Sequence, residues 1–274
     1  MRTLAQLVTV AALAAALAGP AVARGATWTT EHFAREEGLP VLSCTSLAQT
    51  GDGFLWLGTT SGLVRYDGAT FKTLGRSESP ALPGHRIAEL FAVGADGLLG
   101  RTETGSLLAV AGGVPVAPPA PEGEQGSAAL GHVKRLAPIG DAIAVCTSRG
   151  LWLATADTIR PWGPGPQTAC RGLGDLGDGT LWAVSEPDRV ERLHADGTIE
   201  PVAQAPAVAR EDVAVGCRDG RGRLWLGYPR GLYRVAGGQA AEAPQTDGHT
   251  MQALTACRST AAGTQMGSWH GWYA

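Results

Sequence analysis

Short apolar runs alternate with glycine-containing turns along most of the chain, and one phrase recurs. It is clearest from Asp52 to Gly68, DGFLWLGTTSGLVRYDG, where an Asp-Gly pair precedes an apolar run with a tryptophan, and a second glycine follows. Related phrases start at Asp96, Asp178 and Asp219. Because Asp-Gly suits a tight hairpin turn, apolar runs separated in this way predict antiparallel strands joined by short turns.

The phrase repeats at a nearly constant interval. Trp56 serves as the reference position, since Gly62 follows it by six residues, and in the fourth repeat Asp188 stands in the place of that glycine. The reference positions are Trp56, Leu99, Ala144, Trp182, Trp225 and Gln265. They are separated by 43, 45, 38, 43 and 40 residues. Six β-rich units of this length predict an all-β fold, a β-propeller with one blade per unit.

The first unit predicts the four antiparallel strands of a blade. Residues 45–50 form the innermost strand, 54–60 the second, 63–67 the third and 70–74 the outermost. A blade packs against both of its neighbours, so each face carries apolar side chains. We therefore expect Trp56 to lie in the core between two blades rather than to stack on a sugar at the surface.

The two ends of the chain predict closure of the propeller. Trp28 precedes Leu39 by 11 residues, as Phe71 precedes Leu82, so residues 28–33 correspond to an outermost strand without a blade before it. The last unit stops after its third strand. We expect the N-terminal strand to complete that blade, which gives six blades and leaves no free sheet edge. Seven blades are the alternative if the chain is a fragment.

The first 23 residues predict a secretory signal peptide. Arg2 supplies a positive start, residues 4–17 are apolar, and Ala21-Val22-Ala23 has the small-residue pattern of a cleavage site. The mature chain, residues 24–274, is then a single propeller domain in the periplasm or outside the cell. The apolar run is short for a bilayer span.

Composition narrows the classes of partner. The 274 residues carry a net charge of −3, which gives no reason to expect nucleic acid or an anionic membrane surface as a partner. Gly at 39 and Pro at 17 suit many short strands joined by turns. The one low-complexity stretch, residues 112–131, fits a loose outer strand and loop rather than a domain boundary.

Five cysteines remain in the mature chain, at positions 44, 146, 170, 217 and 257, and an odd number leaves at least one thiol free or bonded between chains. No C-x-x-C occurs, so we expect them to be small apolar residues of strands. Cys217 and Cys257 occupy equivalent places on the innermost strands of neighbouring blades. We expect those places to be too far apart for a disulfide, which needs Cα atoms within about 7 Å.

The segment GLPVLSCTSLAQTGDGFLWLGTTSGLVRYDGATF, from Gly38 to Phe71, resembles the propeller repeats of bacterial two-component regulators. That repeat reads G-L-P, an apolar strand, D-x-x-G-x-L-W-x-G-T, and G-L-x-R-[YF]-D-G. The unit at Trp225 matches over LWLGYPRGLYRV, and the other units are degenerate. The resemblance implies a periplasmic ligand-sensing domain. Such domains usually precede a membrane helix and an output module such as a histidine kinase or a diguanylate cyclase.

This chain carries no kinase histidine box, no glycine-rich ATP lid and no GGDEF-like stretch. We therefore expect its output module to lie outside the chain. A membrane histidine kinase or a diguanylate cyclase is the protein partner that the resemblance implies.

The loops that lead into the innermost strands carry the candidate ligand site. One rim of the predicted channel collects polar residues from five units: His85, His132, Arg171, Glu211, Asp212 and His249. A small molecule or a glycan is the ligand class that such a rim suits. Ordinary exposed loop residues are the alternative. Three histidines with an acid also suit a metal, but we expect no metal and no cofactor.

Catalytic motifs are missing from the sequence. The glycines at 172, 174 and 177 spell G-x-G-x-x-G, yet a strand follows them and not a helix, so they belong to a blade turn. Neither G-x-S-x-G nor H-E-x-x-H occurs. We expect a non-catalytic exported propeller that binds a ligand or a partner protein. The alternative is a lyase or glycosidase that uses His85 or His249 as its base.

Overall fold

The fold comes from a computed structural model. It describes residues 30, 33, 38–39, 43–77, 79–163, 168–205, 213, 215–219, 221–228, 231–236, 239–242, 254–260, 263–268 and 271–273. For residues 231, 236 and 239 onward, only the backbone is described. The chain divides into two compact units, Met1–Phe33 and Ala34–Ala274, and every strand below belongs to the second.

Two predictions about the N-terminal part of the chain concern residues that the structure does not describe, or describes only in part. The signal peptide is one of them. The closing strand at residues 28–33 is the other, and its two described residues, Thr30 and Phe33, are not in a strand. No helix among the described residues has the length and apolarity needed to cross a membrane.

The regular secondary structure of the described residues is almost entirely β-strand, in consecutive groups of four and a last group of three. The first two groups are β1–β4 (Cys44–Gln49, Leu55–Thr59, Gly62–Tyr66, Phe71–Leu74) and β5–β8 (Ile87–Val93, Gly97–Thr102, Leu107–Ala111, Val114–Val116). The next two are β9–β12 (Val133–Ile139, Ala142–Thr147, Gly150–Ala154, Ile159–Pro161) and β13–β16 (Cys170–Asp175, Leu181–Ser185, Arg189–Leu193, Ile199–Gln204). The last two are β17–β20 (Val215–Arg218, Leu224–Tyr228, Gly231–Ala236, Gln239–Glu242) and β21–β23 (Leu254–Thr260, Gly263–Ser268, Gly271–Tyr273).

Each group is an antiparallel meander in chain order, and the groups form five sheets among the described residues. There are five sheets and not six because β16 and β20, the outermost strands of the fourth and fifth groups, pair in parallel at Gln204 and Gln239. This pairing was not predicted. It covers two outer edges that would otherwise leave their backbone groups without partners.

The strand register confirms the interval read from the sequence. Every reference position lies on the second strand of its group and pairs with a residue in the later half of the first strand. Ala48 pairs with Trp56, Gly174 with Trp182, and Cys217 with Trp225. The glycine six residues later begins the third strand in four of the groups. The four strands predicted for the first unit are therefore confirmed, within one or two residues at their ends.

Apolar side chains fill the space between consecutive sheets. Trp56 is fully buried among residues of β1–β8, in a core that includes Leu63, Leu90 and Leu108, so its predicted place between two sheets is confirmed. Similar cores lie between the second and third groups, the third and fourth, and the fourth and fifth. The two sides of most strands are apolar because both faces of each sheet are covered.

The expectation that the cysteines serve only as small apolar residues of strands, with no disulfide at Cys217, is wrong. Cys146 on β10 and Cys170 on β13 form a disulfide with their Cα atoms 5.2 Å apart. Cys217 is also disulfide-bonded. The distance argument made for Cys217 and Cys257 compared equivalent places on neighbouring sheets. Cys146 and Cys170 are not at equivalent places, because Cys146 lies on a second strand and Cys170 begins the first strand of the next group. This stagger brings the two Cα atoms within bonding range. Cys44 is free and exposed.

The low-complexity stretch at residues 112–131 forms the short outer strand β8, a loop and a 3₁₀ helix at Ser127–Leu130. A bridge from Pro121 to Ile159 of β12 ties this loop to the next group. As expected, it is an outer strand and a loop within the fold.

Candidate functional site

The predicted site lies at one end of the strands, where the loop before each first strand meets the turn between the second and third strands. We call this end the upper rim, and among the described residues it comprises residues 84–86, 103–105, 131–132, 148–149, 169–171 and 186–188. Backbone hydrogen bonds tie the loops to the turns, from Glu103 N–H to Arg86 O (2.9 Å) and from Glu186 N–H to Ala169 O (2.9 Å). Three predicted site residues, Glu211, Asp212 and His249, lie outside the described residues.

His85 and His132 both lie on the upper rim as exposed loop residues. The main chain of His132 accepts a hydrogen bond from Ser148 N–H (2.9 Å) and donates one to Ser148 Oγ (3.0 Å). Its ring lies against Gly105, where any Cβ would collide with it. This turn therefore needs glycine for the close approach as well as for its φ of 76°. The main chain of His132 is therefore held in place.

Arg171 lies in a different environment from the one predicted. It is the second residue of β13 rather than a loop residue, and its side chain is 12% exposed. Nη1 donates to Asp188 Oδ1 (3.0 Å) and Nη2 to Glu186 Oε1 (3.1 Å). Burial lowers the pKa of Arg171, but the hydrogen bonds to Asp188 and Glu186 outweigh it and raise the pKa above its ordinary value. Arg171 is a fixed, permanently charged group.

Asp188 fills the place of a turn glycine. The corresponding glycines, Gly62, Gly105 and Gly150, have φ between 76° and 150°, and Asp188 has φ of 126°. An aspartate in this backbone region is strained. Its carboxylate accepts the hydrogen bond from Arg171, and its carbonyl accepts one from Ala205 N–H (2.7 Å). The turn therefore keeps a strained carboxylate beside Arg171.

Tyr228 adds a buried hydroxyl to this part of the upper rim. It ends β18, where the other groups carry Thr59, Thr102, Thr147 or Ser185. The side chain is 1% exposed, and its hydroxyl has no hydrogen-bond partner among the described residues. Burial raises the pKa of Tyr228 above its ordinary value, the charge of Arg171 acts against this rise, and the charge of Asp188 adds to it. The hydroxyl is therefore close enough to feel both charged groups.

The structure thus places His85, His132 and Arg171 at the same end of their sheets, and no hydrogen bond or ion pair between described residues joins them. It adds Glu186, Asp188 and Tyr228, which sequence reasoning missed. Asp188 was already visible as an exception to the glycine rule. Tyr228 was visible only as the one aromatic residue at a place that otherwise holds a small hydroxyl.

The chemistry of the described upper rim is that of fixed charges. Arg86 and Glu103 form an exposed ion pair (2.5 Å), which raises the pKa of Arg86 and lowers that of Glu103. Such shifts keep both groups charged near neutral pH, whereas a general acid or base works best with a pKa near 7. Within the described part of the chain, no three His, Cys, Asp or Glu residues lie close enough to hold a metal ion.

Solved structures with a similar fold come from several functional classes. No protein-family model matches the chain, and no curated protein sequence matches it. The extracellular domain of the hybrid two-component system BT3049 from B. thetaiotaomicron has a TM-score of 0.53 and 18% identity, over 88% of this chain and 35% of that one. This chain therefore spans about a third of the length of that neighbour.

Two further neighbours cover most of both chains. Virginiamycin B lyase from Staphylococcus aureus has a TM-score of 0.54 and 13% identity, over 83% of this chain and 78% of the lyase. YCF48 bound to D1 peptide has a TM-score of 0.51 and 14% identity, over 90% of this chain and 82% of YCF48. At these identities the similarity shows the fold alone. The chain has an all-β, propeller-like fold.

Proposed function

We propose that this chain is an exported, non-catalytic β-propeller of six blades that binds a ligand or a partner protein through its upper rim. In this proposal it is the sensing part of a bacterial signal-transduction system, and its output module is a separate protein. The observation that carries the proposal is the cluster of Arg171, Glu186 and Asp188 beside the buried, unpaired hydroxyl of Tyr228.

The cluster supports binding because it is preorganised. Arg171 is locked by two carboxylates, so little side-chain freedom remains to be lost when a ligand arrives. The Tyr228 hydroxyl has no hydrogen-bond partner among the residues that the structure describes, and a buried hydroxyl without a hydrogen bond costs about 1–3 kcal/mol. A ligand oxygen that reaches it recovers this energy. A hydroxyl-rich small molecule or a glycan has the required oxygens in quantity.

The comparisons support the architecture in which this site lies. The extracellular domain of a two-component system shares the fold, and so does YCF48 in a complex with a peptide. Virginiamycin B lyase shares it as well, so the fold alone does not separate binding from catalysis. The pKa shifts at the upper rim move Arg86, Glu103 and Arg171 further from neutral pH, so none of these three groups is tuned to act as a general acid or base.

The test screens the wild-type protein against glycans, small metabolites and the ectodomains of candidate membrane histidine kinases and diguanylate cyclases, with turnover followed in the same wells. Tyr228→Phe then removes the hydroxyl alone. We expect this variant to melt at or above the wild-type temperature and to bind the ligand about tenfold more weakly. Tyr66→Phe is the control and should bind normally, because Tyr66 ends β3 at the end of its sheet opposite the upper rim.

A second variant tests the predicted histidines. Replacing His85, His132 and His249 by Ala should leave the melting temperature within about 2–4 °C, since exposed substitutions cost little stability. The proposal expects this variant to lose binding. Unchanged affinity in both variants would move the binding surface away from the upper rim. Turnover of any ligand would contradict the non-catalytic assignment and favour a lyase or glycosidase.

A further inference from the structure

A pocket opens between the fourth and fifth groups of strands, at the end opposite the upper rim. Its volume is about 250 Å³. Its lining comes from β14–β16 of the fourth group and β17–β19 of the fifth, with residues of the turns that follow β13 and β17. The apolar part of its wall is Leu176, Trp182, Val202, Leu224 and Val235. Pockets for drug-sized ligands measure roughly 300–1,000 Å³, so this one suits a smaller molecule.

Three arginines form the polar part of the wall: Arg192, Arg218 and Arg223. Arg192 and Arg218 both pair with Asp178, and Arg223 pairs with Asp219 at 2.6 Å. Three positive charges therefore face two negative ones. The side chains of the arginines are 26%, 33% and 36% exposed, so they remain accessible from solvent.

Glu191 also borders the pocket, but its carboxylate faces away. Consecutive strand residues point to opposite faces of a sheet. Arg192 lies on the face of its cross-strand partner Trp182, whereas Glu191 lies on the face of Ala183. The Glu191 carboxylate accepts a hydrogen bond from Ser185 Oγ (2.8 Å), which stands on that second face too. It therefore does not neutralise the excess positive charge.

The charge of both aspartates is fixed. A hydrogen bond from the Thr180 hydroxyl, with further ones from Arg218 and the Thr180 N–H, lowers the pKa of Asp178 to about 2 although burial acts against it. Burial raises the pKa of Asp219, but hydrogen bonds from Trp225 and Arg223 outweigh it and bring the pKa to about 2. The pocket thus keeps one unbalanced positive charge across the neutral pH range.

We propose that this pocket is a second ligand site, independent of the upper rim, for a small monocarboxylate with an apolar body. The apolar part of the ligand packs among Trp182, Leu224 and Val235, and its carboxylate accepts hydrogen bonds from the arginines at the mouth. One negative charge balances the one excess arginine. A phosphate group, with up to two charges and no apolar body, leaves the apolar wall uncovered.

The test uses two compounds of the same shape, phenylacetate and its neutral amide phenylacetamide. Isothermal titration calorimetry on the whole mature chain should show saturable binding of phenylacetate, and binding of the amide at least about tenfold weaker. Arg218→Gln should weaken the acid about tenfold and leave the amide unchanged. Because Arg218 lies at the mouth, thermal melting should show that this variant remains folded.

Val202→Trp blocks the pocket without emptying the core, since Val202 is 37% exposed on β16. It should abolish binding of phenylacetate. Val114→Trp is the matched control, at a position that is 53% exposed on β8 of another sheet, and it should bind normally. The triple histidine variant of the upper rim should also bind phenylacetate normally. A loss of binding in the pocket is thereby distinguished from a loss of binding at the upper rim.

Three results would overturn the proposal. The first is equal affinity for phenylacetate and phenylacetamide, which excludes recognition of the charge. The second is undiminished binding by Val202→Trp, which places the compound elsewhere. The third is the lack of saturable binding of either compound up to about 10 mM.

Discussion

At the scale of single residues, equivalent tryptophans satisfy their indole N–H groups differently. Trp56 Nε1 donates to Thr50 Oγ1 (3.1 Å), and Trp225 Nε1 donates to Asp219 Oδ2 (2.9 Å). In both cases the acceptor stands six residues earlier, where the first strand turns towards the second. Trp182 is 2% exposed, and its Nε1 has no partner among the described residues.

The reason is that Leu176 occupies the acceptor position for Trp182. We expect Leu176→Thr to be about 1–3 kcal/mol more stable than Leu176→Val, because the two variants have nearly the same volume and only Thr offers an acceptor. Urea unfolding of both variants measures the difference. Equal stability of the two would mean that the indole N–H remains unpaired or that water already serves it.

Asp219 holds its turn through its charge. It accepts hydrogen bonds from the N–H groups of Arg221 and Arg223, both at 2.9 Å, and from Trp225. Its pKa falls from 3.8 to about 2 in the folded chain. A lowered carboxyl pKa contributes stability above the unfolded value, and this stability is lost as the pH falls towards the folded value.

Asp219→Asn should therefore destabilise the protein by about 2 kcal/mol at pH 7. The difference from wild type should shrink as the pH falls from about 4 towards 2, because the wild-type carboxyl is then protonated. Thermal unfolding followed by circular dichroism at several pH values measures it. A difference that stays constant over this range would exclude a role for the charge.

At the scale of strands, consecutive sheets are joined through their first strands. Leu90 N–H on β5 donates to Ser46 Oγ on β1 (2.9 Å), and Leu136 N–H on β9 donates to Glu89 Oε2 on β5 (3.0 Å). Ser46 and Glu89 stand at the same place in their units, 43 residues apart. In the first two groups, the first strand thus accepts a hydrogen bond from the first strand of the next group, which fixes the register between the two sheets.

A disulfide also links two consecutive sheets, from the second strand of one group to the first strand of the next. Cys146 and Cys170 join the third and fourth groups, 24 residues apart in sequence. Closing a loop of this length stabilises a fold by about 3 kcal/mol. We expect the double variant Cys146→Ser, Cys170→Ser to lose about that much, and reduction of the wild-type protein to lower its melting temperature.

Cys44→Ser is the control for the disulfide, since Cys44 is a free, exposed thiol. It should melt like the wild type, before and after a reductant is added to both. If the double variant matched the unreduced wild type in urea unfolding, the bond would contribute nothing to stability.

At the scale of the whole molecule, closure by the N-terminal strand stays a prediction. Among the described residues the last group has three strands. Deleting residues 28–33 should leave an open sheet edge. We expect this variant to melt well below the wild type or to aggregate, as measured by differential scanning calorimetry and light scattering. Deleting the exposed residues 123–125 from the loop that follows β8, which leaves the bridge from Pro121 to Ile159 in place, is the control. A deletion of 28–33 that melts like the wild type would exclude closure by this segment.

The sequence by itself determined where the strands and turns lie and which tryptophan enters a core. These features depend on neighbouring residues, because alternation of apolar side chains and the turn preference of Asp-Gly act within a few positions. Because the units repeat at intervals of about 42 residues, the strands of the clear unit at Trp56 also predicted the strands of units such as the one at Ala144, which has lost the motif. It also identified Asp188 as an exception.

Only the tertiary structure decided which side chains meet. Arg171 pairs with Asp188, 17 residues away, and Cys170 bonds to Cys146. In both cases the two residues hold different positions in their repeat units, and the interval between units does not tell which of these positions meet. The pocket beside Trp182 depends on the packing of the fourth group against the fifth, because side chains of both groups form its wall. Such contacts follow from how the sheets twist and pack, and so they appear only once the whole chain is folded.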